Sequence, residues 1–219
     1  MIKHHPKFEL IQSFVNGELP ASLAAGIAMH AEMCPKCQHQ IAQLTEQIAE
    51  VSFEEDFESG LIAETLDIDQ MIADITKSDE VFEPIANVEK VAIFNNETYT
   101  LPKALHSMTL GKIANIGKLS RSRIQLNENE IHTSLLQIQP GGGVPEHTHK
   151  GFELTLLLEG SFHDEHGEYV KGDFIMLDSS DQHHPISTEG CLCYTVANDA
   201  LRFTQGINKL LNPIGAFIY

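Results

Sequence analysis

Tryptophan is absent from the sequence, and basic side chains are few: 14 Lys and Arg stand against 31 Asp and Glu among 219 residues, a formal charge of −17. Such an acidic surface repels nucleic-acid phosphates, so direct nucleic-acid binding is not expected. The longest aliphatic stretch, near Leu156–Leu158, is far shorter than the ~20 residues needed to cross a bilayer, and the start has no apolar signal core. We therefore expect a cytoplasmic protein that has no membrane partner.

Cysteine is scarce as well. The sequence has only four cysteines, which form two close pairs, Cys34/Cys37 and Cys191/Cys193. Without a secretory signal, such pairs are more often metal ligands or core thiols than disulfides. Histidine, by contrast, occurs 12 times and is spread along the chain, largely in pairs. The hydrophobic fraction of 42% excludes disorder over the whole length. These features predict an ordered chain with sites built from histidine and cysteine.

Two periodicities divide the chain. In residues 1–80, apolar side chains recur at spacings of three, four and seven, which predicts four short helices. Later runs such as 154–158 and 191–196 are β-rich and separated by turn residues, which predicts a sandwich or barrel. The predicted fold is multidomain α + β: a helical domain over 1–80, a linker over 81–90, a β domain over 91–205, and a tail over 206–219 that packs on the β domain. Residues 1–80 carry 15 acidic and 4 basic side chains, so their partner is expected to be basic.

The helical half contains the pattern His-x3-Cys-x2-Cys, formed by His30, Cys34 and Cys37. This spacing brings the three side chains together on one helical face or across a helix junction. His4 or His5, which precede the first helix, can supply a fourth ligand and close a tetrahedral zinc site. One alternative is a pair of buried apolar cysteines with a capping histidine. Another is a thioredoxin-type redox pair, although no strand precedes the motif.

On these residues, the first 80 positions resemble the zinc-binding anti-sigma domain family, in which an early His precedes His-x3-Cys-x2-Cys inside a four-helix unit. The resemblance implies these zinc ligands: His5, His30, Cys34 and Cys37. His5 is preferred over His4 because it directly precedes Pro6 and the first helix. The resemblance further implies that the helices clasp an alternative sigma factor and block its access to core RNA polymerase.

The β-rich half contains a second metal-ligand pattern, Gly-x5-His-x-His-x3-Glu-x6-Gly, between Gly141 and Gly160. On a strand, the two histidines lie on the same face, and the glutamate shares their parity unless Gly151 introduces a bulge. A later run adds another histidine, His183. Three imidazoles and a carboxylate suit Zn, Mn, Fe or Ni, and the ligand set alone does not choose among these metals.

This half resembles the cupin family, whose first motif matches without a gap. The second motif is degenerate, because Asp178 and Ser180 stand where the family often has Pro and Gly. The resemblance implies a β-barrel with these metal ligands: His147, His149, Glu153 and His183. We expect the His184 side chain to point away from the site and residues 163–166 to form a solvated hairpin turn. Cys191 and Cys193 are interpreted as core thiols.

Taken together, an anti-sigma helical domain followed by a cupin resembles the ChrR-type anti-sigma factors over nearly the entire chain. The resemblance implies that the protein binds an extracytoplasmic-function sigma factor in the cytoplasm and releases it under singlet oxygen or related oxidative stress, for which the cupin is needed. On this interpretation the protein is a regulator and not an enzyme. The alternatives are a dioxygenase-like cupin enzyme, whose metal keeps positions open for substrate and oxygen, and a cupin that senses a small molecule at its metal. Because cupins often dimerise, a homodimer through the cupin is a further expectation.

Overall fold

The computed structural model describes residues 1–54, 67–77, 89–199 and 202–203. Its helices are α1 (Phe8–Val15), α2 (Ala21–Met33), α3 (Pro35–Glu54) and α4 (Ile68–Thr76). The prediction of four N-terminal helices is confirmed. Leu61, one of the recurring apolar side chains of residues 1–80 on which the prediction of the last helix rests, lies outside the described residues. Within those residues, no helix has both the length and the apolarity that spanning a membrane requires.

In the described part of residues 89–203, the regular elements are strands, apart from one 3-10 turn at Lys103–Leu105 between the second and third. The strands are β1 (Val91–Phe94), β2 (Glu97–Thr100), β3 (Thr109–Ile116), β4 (Leu119–Gln125), β5 (His132–Ile138), β6 (Gly142–Gly143), β7 (His147–Thr148), β8 (Glu153–Asp164), β9 (Gly167–Val170), β10 (Phe174–Leu177), β11 (Gln182–His183), β12 (Ile186–Ser187), β13 (Cys191–Ala197) and β14 (Arg202–Phe203).

The strands pair antiparallel and form a curled sheet. Its order is β3-β4-β5-β13-β8-β12-β6, and β9 and β10 also pair with β8. A short sheet in the order β11-β7-β14 sets His183 directly opposite His147. The two histidine runs of the sequence therefore meet through strand pairing. This cupin-like sheet after four helices has the fold class that the sequence predicts.

Strand β8 is apolar at successive positions because both of its faces are covered. Leu154 and Leu156 pack in one buried cluster with Ile27 and Met29 of α2. Leu157 points the other way, into a second buried cluster. A strand covered on both faces requires apolar residues at consecutive positions rather than in alternation. One face of β8 thus carries helix α2, and the other lines the interior of the curled sheet.

Helix α2 lies directly on this sheet. A Cβ at Gly26 would stand 2.7 Å from Leu154 Cδ2, so only glycine permits this approach without a shift. At the start of the helix, the Tyr194 hydroxyl donates to the Ser22 carbonyl at 2.8 Å, and the Ser22 N–H donates to Glu128 Oε1 at 3.1 Å. Helix α2 therefore shares a core with the cupin strands.

Two compact units divide the chain: the described residues of 1–42 and 89–219 form one, and those of 43–88 form the other. Residues 1–42 thus group with the strands, a feature that the sequence periodicity does not indicate. The domain boundaries predicted from the sequence stay predictions. Much of the predicted linker and the whole predicted tail over 206–219 lie outside the described residues.

Candidate metal centres

The first group of donor atoms forms where the N-terminal segment meets the junction of α2 and α3. His30 lies in the last turn of α2, Cys34 ends that helix, and Cys37 lies in the first turn of α3. The Cys34 N–H donates to the His30 carbonyl at 2.9 Å, which fixes the junction. His5 joins these three from the segment before α1, and the ligand atoms of all four residues lie within 4.8 Å of one another.

The distances within this group fit a zinc tetrahedron. His5 Nδ1 lies 3.4 Å from His30 Nε2 and 3.5 Å from the Sγ atom of either cysteine. His30 Nε2 lies 3.3 Å from Cys37 Sγ. With Zn–N bonds of ~2.0–2.1 Å and Zn–S bonds of ~2.3 Å, tetrahedral ligands stand roughly 3.3–3.8 Å apart. Two thiolates and two imidazoles at these separations could hold Zn²⁺ with little movement.

The tautomer of His30 also suits a metal. His30 Nδ1 lies 2.7 Å from the Gly172 carbonyl oxygen, which can only accept, so Nδ1 carries the proton and Nε2 is left as a lone pair facing the other donors. His4 is not in the group, and its ring lies instead against Tyr169 in a tilted arrangement with 4.9 Å between centroids. Of the two candidates for the N-terminal histidine, the structure brings His5 to the cluster.

The protein environment favours the uncharged forms of these side chains. Burial lowers the pKa of His30, and burial together with the Lys36 charge lowers the pKa of His5. Burial and the neighbouring Cys34 raise the pKa of the Cys37 thiol to about 11. A thiol with this pKa is protonated at neutral pH, so a metal that binds here displaces a proton.

The second group lies inside the curled sheet. His147 is on β7, His149 follows it, Glu153 begins β8, and His183 is on β11. All four side chains are buried, and their ligand atoms lie within 4.8 Å of one another. His183 Nε2 is 2.9 Å from His147 Nε2, and Glu153 Oε2 is 2.8 Å from His149 Nε2 and 3.5 Å from His183 Nε2. Three imidazoles and one carboxylate that converge in this way could hold a divalent cation.

The buried carboxylate and two of the imidazoles have strongly displaced pKa values. Burial lowers the pKa of His147 to about 3. Burial alone would raise the pKa of Glu153, but hydrogen bonds from His149 and His183 bring it well below its usual value. Burial also opposes charge on His183, yet Asp164 and Glu153 raise its pKa to about 9. Asp164 and Glu153 therefore favour positive charge at this buried position.

Asp164 is a residue of this site that the sequence analysis missed. It was expected in a solvated hairpin turn over 163–166, but it is the last residue of β8, directly before the turn at 165–166. Its side chain is only 2% exposed, and its Oδ2 lies 3.4 Å from His183 Nδ1. Its Oδ1 accepts the backbone N–H of His166 at 2.8 Å. A carboxylate on the far nitrogen of a ligating histidine orients the ring and raises its basicity. Only the position of β11 beside this turn reveals the contact.

The remaining residues singled out in the sequence lie outside both groups. The His184 N–H donates to Glu165 Oε2 at 3.0 Å, and His184 is absent from the donor set. Cys191 and Cys193 are buried, form no disulfide and have 4.0 Å between their sulfurs. Both belong to the buried cluster inside the sheet, in agreement with their interpretation as core thiols.

A small cavity adjoins the second group. It has a volume of about 30 Å³, and its lining includes His147, Glu153 and His183 together with mostly apolar side chains. This volume admits no more than about two or three water molecules, since a water needs roughly 10–15 Å³ of such space. An open metal position here would therefore face a space for only a few waters.

Comparisons with known proteins give the following similarities. Residues 119–201 match the family model of the ChrR cupin-like domain. The chain is 27% identical, over 97% of its length and 97% of the relative's length, to the anti-sigma-E factor ChrR of Cereibacter sphaeroides. In structure it is similar to the crystal structure of Rhodobacter sphaeroides SigE in complex with the anti-sigma ChrR, with a TM-score of 0.66, 22% identity, and coverage of 90% of this chain and 99% of that one. The resemblance to ChrR-type anti-sigma factors, and the helical-plus-cupin fold class, are confirmed.

An acetylacetone dioxygenase from Acinetobacter johnsonii has a TM-score of 0.38 and 16% identity, covering 58% of this chain and 85% of that one. This similarity is too low to say anything about activity.

Proposed function

We propose that this protein is an anti-sigma factor that binds an extracytoplasmic-function sigma factor in the cytoplasm and keeps it from RNA polymerase. The observation that carries this proposal is the similarity to an anti-sigma factor over nearly the whole length of both chains. Two further features agree with it: the donor group at the α2–α3 junction and the acidic surplus of residues 1–80, which suits a basic partner.

In this proposal the N-terminal group holds zinc through His5, His30, Cys34 and Cys37. The zinc would be structural, because four protein donors fill a tetrahedral site and leave no position for a substrate. It would fix the start of α1, the end of α2 and the start of α3 relative to one another. Helices of 8 and 13 residues have little stability alone, so such a cross-link stabilises the arrangement that meets the partner.

Helix α4 supplies an apolar surface for the sigma factor. Ile68, Met71, Ile72 and Ile75 lie three, four and seven positions apart, and are 50–71% exposed. This spacing puts them on one face of the helix. The opposite face carries Gln70 and Asp74, which are hydrogen-bonded to each other at 2.8 Å. A helix with an exposed apolar stripe of this kind suits a groove on a partner protein.

The proposal is tested by pull-down from source-cell lysate with full-length protein, followed by mass spectrometry. A sigma factor is expected on the wild-type bait and on Gln70→Glu, and at least tenfold less of it on Ile72→Glu. The two variants each add one carboxylate to the same exposed helix, on opposite faces, so neither is expected to unfold the chain. Absence of any sigma factor from the wild-type bait contradicts the function, and equal capture by both variants contradicts the role of the α4 face.

For the cupin half, we propose that His147, His149, Glu153 and His183 hold a second divalent metal, Zn, Mn, Fe or Ni, whose state reports oxidative stress such as singlet oxygen. The signal would loosen the sigma complex, and for this it must stabilise the released state over the bound one. The small volume of the cavity beside the group favours such sensing over turnover of an organic substrate, which is the dioxygenase-like alternative. Dimerisation through the cupin stays a prediction.

A further inference from the structure

A group of hydrogen bonds that involves none of the metal-donor side chains links the N-terminal segment to the cupin sheet. Asp173 lies between β9 and β10, and its side chain is completely buried. Its Oδ1 accepts the backbone N–H groups of Lys3 at 2.7 Å and His4 at 2.9 Å, and its Oδ2 accepts the N–H of Val170 at 2.9 Å. The Phe174 N–H then donates to the His4 carbonyl at 3.1 Å. The residue directly before His5 is thus held on both its donor and its acceptor side.

The preceding residue, Gly172, holds the other histidine of the same donor group. Its carbonyl accepts the His30 Nδ1 proton at 2.7 Å, as described above. Gly172 has φ +91°, and a Cβ there would stand 2.4 Å from Ile2 Cδ1. Only glycine fits this backbone conformation under the N-terminal segment without strain. Two neighbouring cupin residues therefore contact the segments that carry His5 and His30.

These hydrogen bonds would affect the affinity for zinc through the position that they give to His5. His5 precedes α1 and has no helix of its own to hold it, so its position depends on what binds residues 3 and 4. A buried carboxylate that accepts several backbone N–H groups is a strong anchor, because the bonds are charge-assisted and shielded from water. Without this anchor, His5 can leave the donor group. Zinc binding must then also order the N-terminal segment, and the lost conformational entropy weakens binding.

From these contacts we infer that Asp173 is a positioning residue for the N-terminal metal centre: it fixes the backbone that presents His5, while the adjacent Gly172 carbonyl fixes His30. The inference rests on the zinc site in the proposed function. It extends that function, because the same turn leads into β10, whose last residue, Leu177, pairs with Glu153. The cupin would thereby set how firmly the helical part retains its zinc, with one strand joining the two centres.

The test uses thiol alkylation of zinc-loaded full-length protein, read for each cysteine by mass spectrometry. Bound zinc protects Cys34 and Cys37, while the buried Cys191 and Cys193 report whether the sheet stays folded. For Asp173→Ala we expect alkylation of the first pair to be faster by roughly 10- to 100-fold, the range typical for loss of a contact that orients a metal ligand. Asp173→Asn retains an acceptor for residues 3 and 4 and should give an intermediate rate. The control Asp178→Asn, at an exposed turn after β10, should match the wild type.

Each outcome of this experiment either supports or contradicts the role of Asp173. Faster alkylation of Cys34 and Cys37 alone, in the order Ala, Asn, wild type, supports the inference. Unchanged rates for this pair overturn it, as does a rate increase shared by all four cysteines, because Asp173 would then act only through the fold of the whole sheet. If zinc does not protect Cys34 and Cys37 in the wild-type protein, the proposed zinc site itself is wrong, and this result is distinct from the others.

Discussion

Asp164 and His183 illustrate how single residues adapt a buried site to a metal. Asp164 accepts from the His183 nitrogen that faces away from the donor group, and it helps to raise the pKa of that ring to about 9 against the effect of burial. Below this pH, the metal-free ring holds a proton that an incoming cation must displace. Apparent metal affinity should therefore rise with pH, about tenfold per unit, until about pH 9.

Asp164→Asn should weaken metal binding by the cupin group and flatten its pH dependence. Without the carboxylate the His183 ring is less well oriented and less basic, which we expect to cost roughly 10- to 100-fold in affinity near pH 9. Proton competition also weakens, so the difference from the wild type should shrink toward pH 7. The measurement is a Mn²⁺ titration followed by electron paramagnetic resonance, because Mn²⁺ prefers nitrogen and oxygen donors over thiolates. Asp178→Asn serves as the control, and an unaltered affinity and pH profile would contradict this role for Asp164.

At the scale of elements, β8 and α2 are the pieces that join the helical and cupin parts. Glu153 and Leu154 are successive residues of β8, so their side chains point to opposite faces. Glu153 belongs to the cupin donor group, and Leu154 packs on α2 next to Gly26. The helix can lie this close only because position 26 has no side chain.

Gly26→Val should destabilise the protein by about 1–3 kcal/mol, the usual cost of forcing extra volume into a packed core. The added side chain would meet Leu154 and then Tyr194 and Phe174, which surround the same point. Urea denaturation measures the change. Ala21→Val, at the exposed start of the same helix, should change stability by less than about 0.5 kcal/mol. Equal stability of the two variants would show that α2 does not pack on β8 as described.

For the whole molecule, the proposed function gives each donor group its own task. The N-terminal group supports binding of the sigma factor, and the cupin group supports the response to stress. In this proposal the N-terminal group would organise the helices through zinc, and the buried cupin group would hold a metal with little room around it. Loss of the cupin metal should therefore leave inhibition in place and remove the response, since a signal acts only through a site that it affects differently in two states.

His147→Ala combined with Glu153→Ala should give a protein that still inhibits its sigma factor but no longer releases it under singlet oxygen. Two of four donors are lost, so the cupin metal should be absent from elemental analysis. A transcriptional reporter for the sigma factor measures release in cells. His184→Ala, outside the donor group, should respond like the wild type. A normal stress response from the metal-free double variant is the result that would rule out signalling through this site.

The sequence by itself determined those parts of each site whose residues are close together in the chain. His30, Cys34 and Cys37 are separated by only four and three residues across the α2–α3 junction, and His147 and His149 are two residues apart at the end of β7, where side chains with this spacing share a face. The division into helices and strands followed from the two periodicities of the chain. The ligand roles of these residues stay predictions, but their convergence follows from local geometry.

Only the tertiary structure decided which distant segments complete the sites. His5 reaches the α2–α3 junction because Asp173 anchors the residues before it, and Asp164 reaches His183 because β11 lies beside the turn after β8. The apolar run of β8 likewise did not reveal that α2 covers one of its faces. Periodicity records that a face is buried and carries no information about what buries it, because strand pairing and helix docking depend on contacts between residues far apart in the chain.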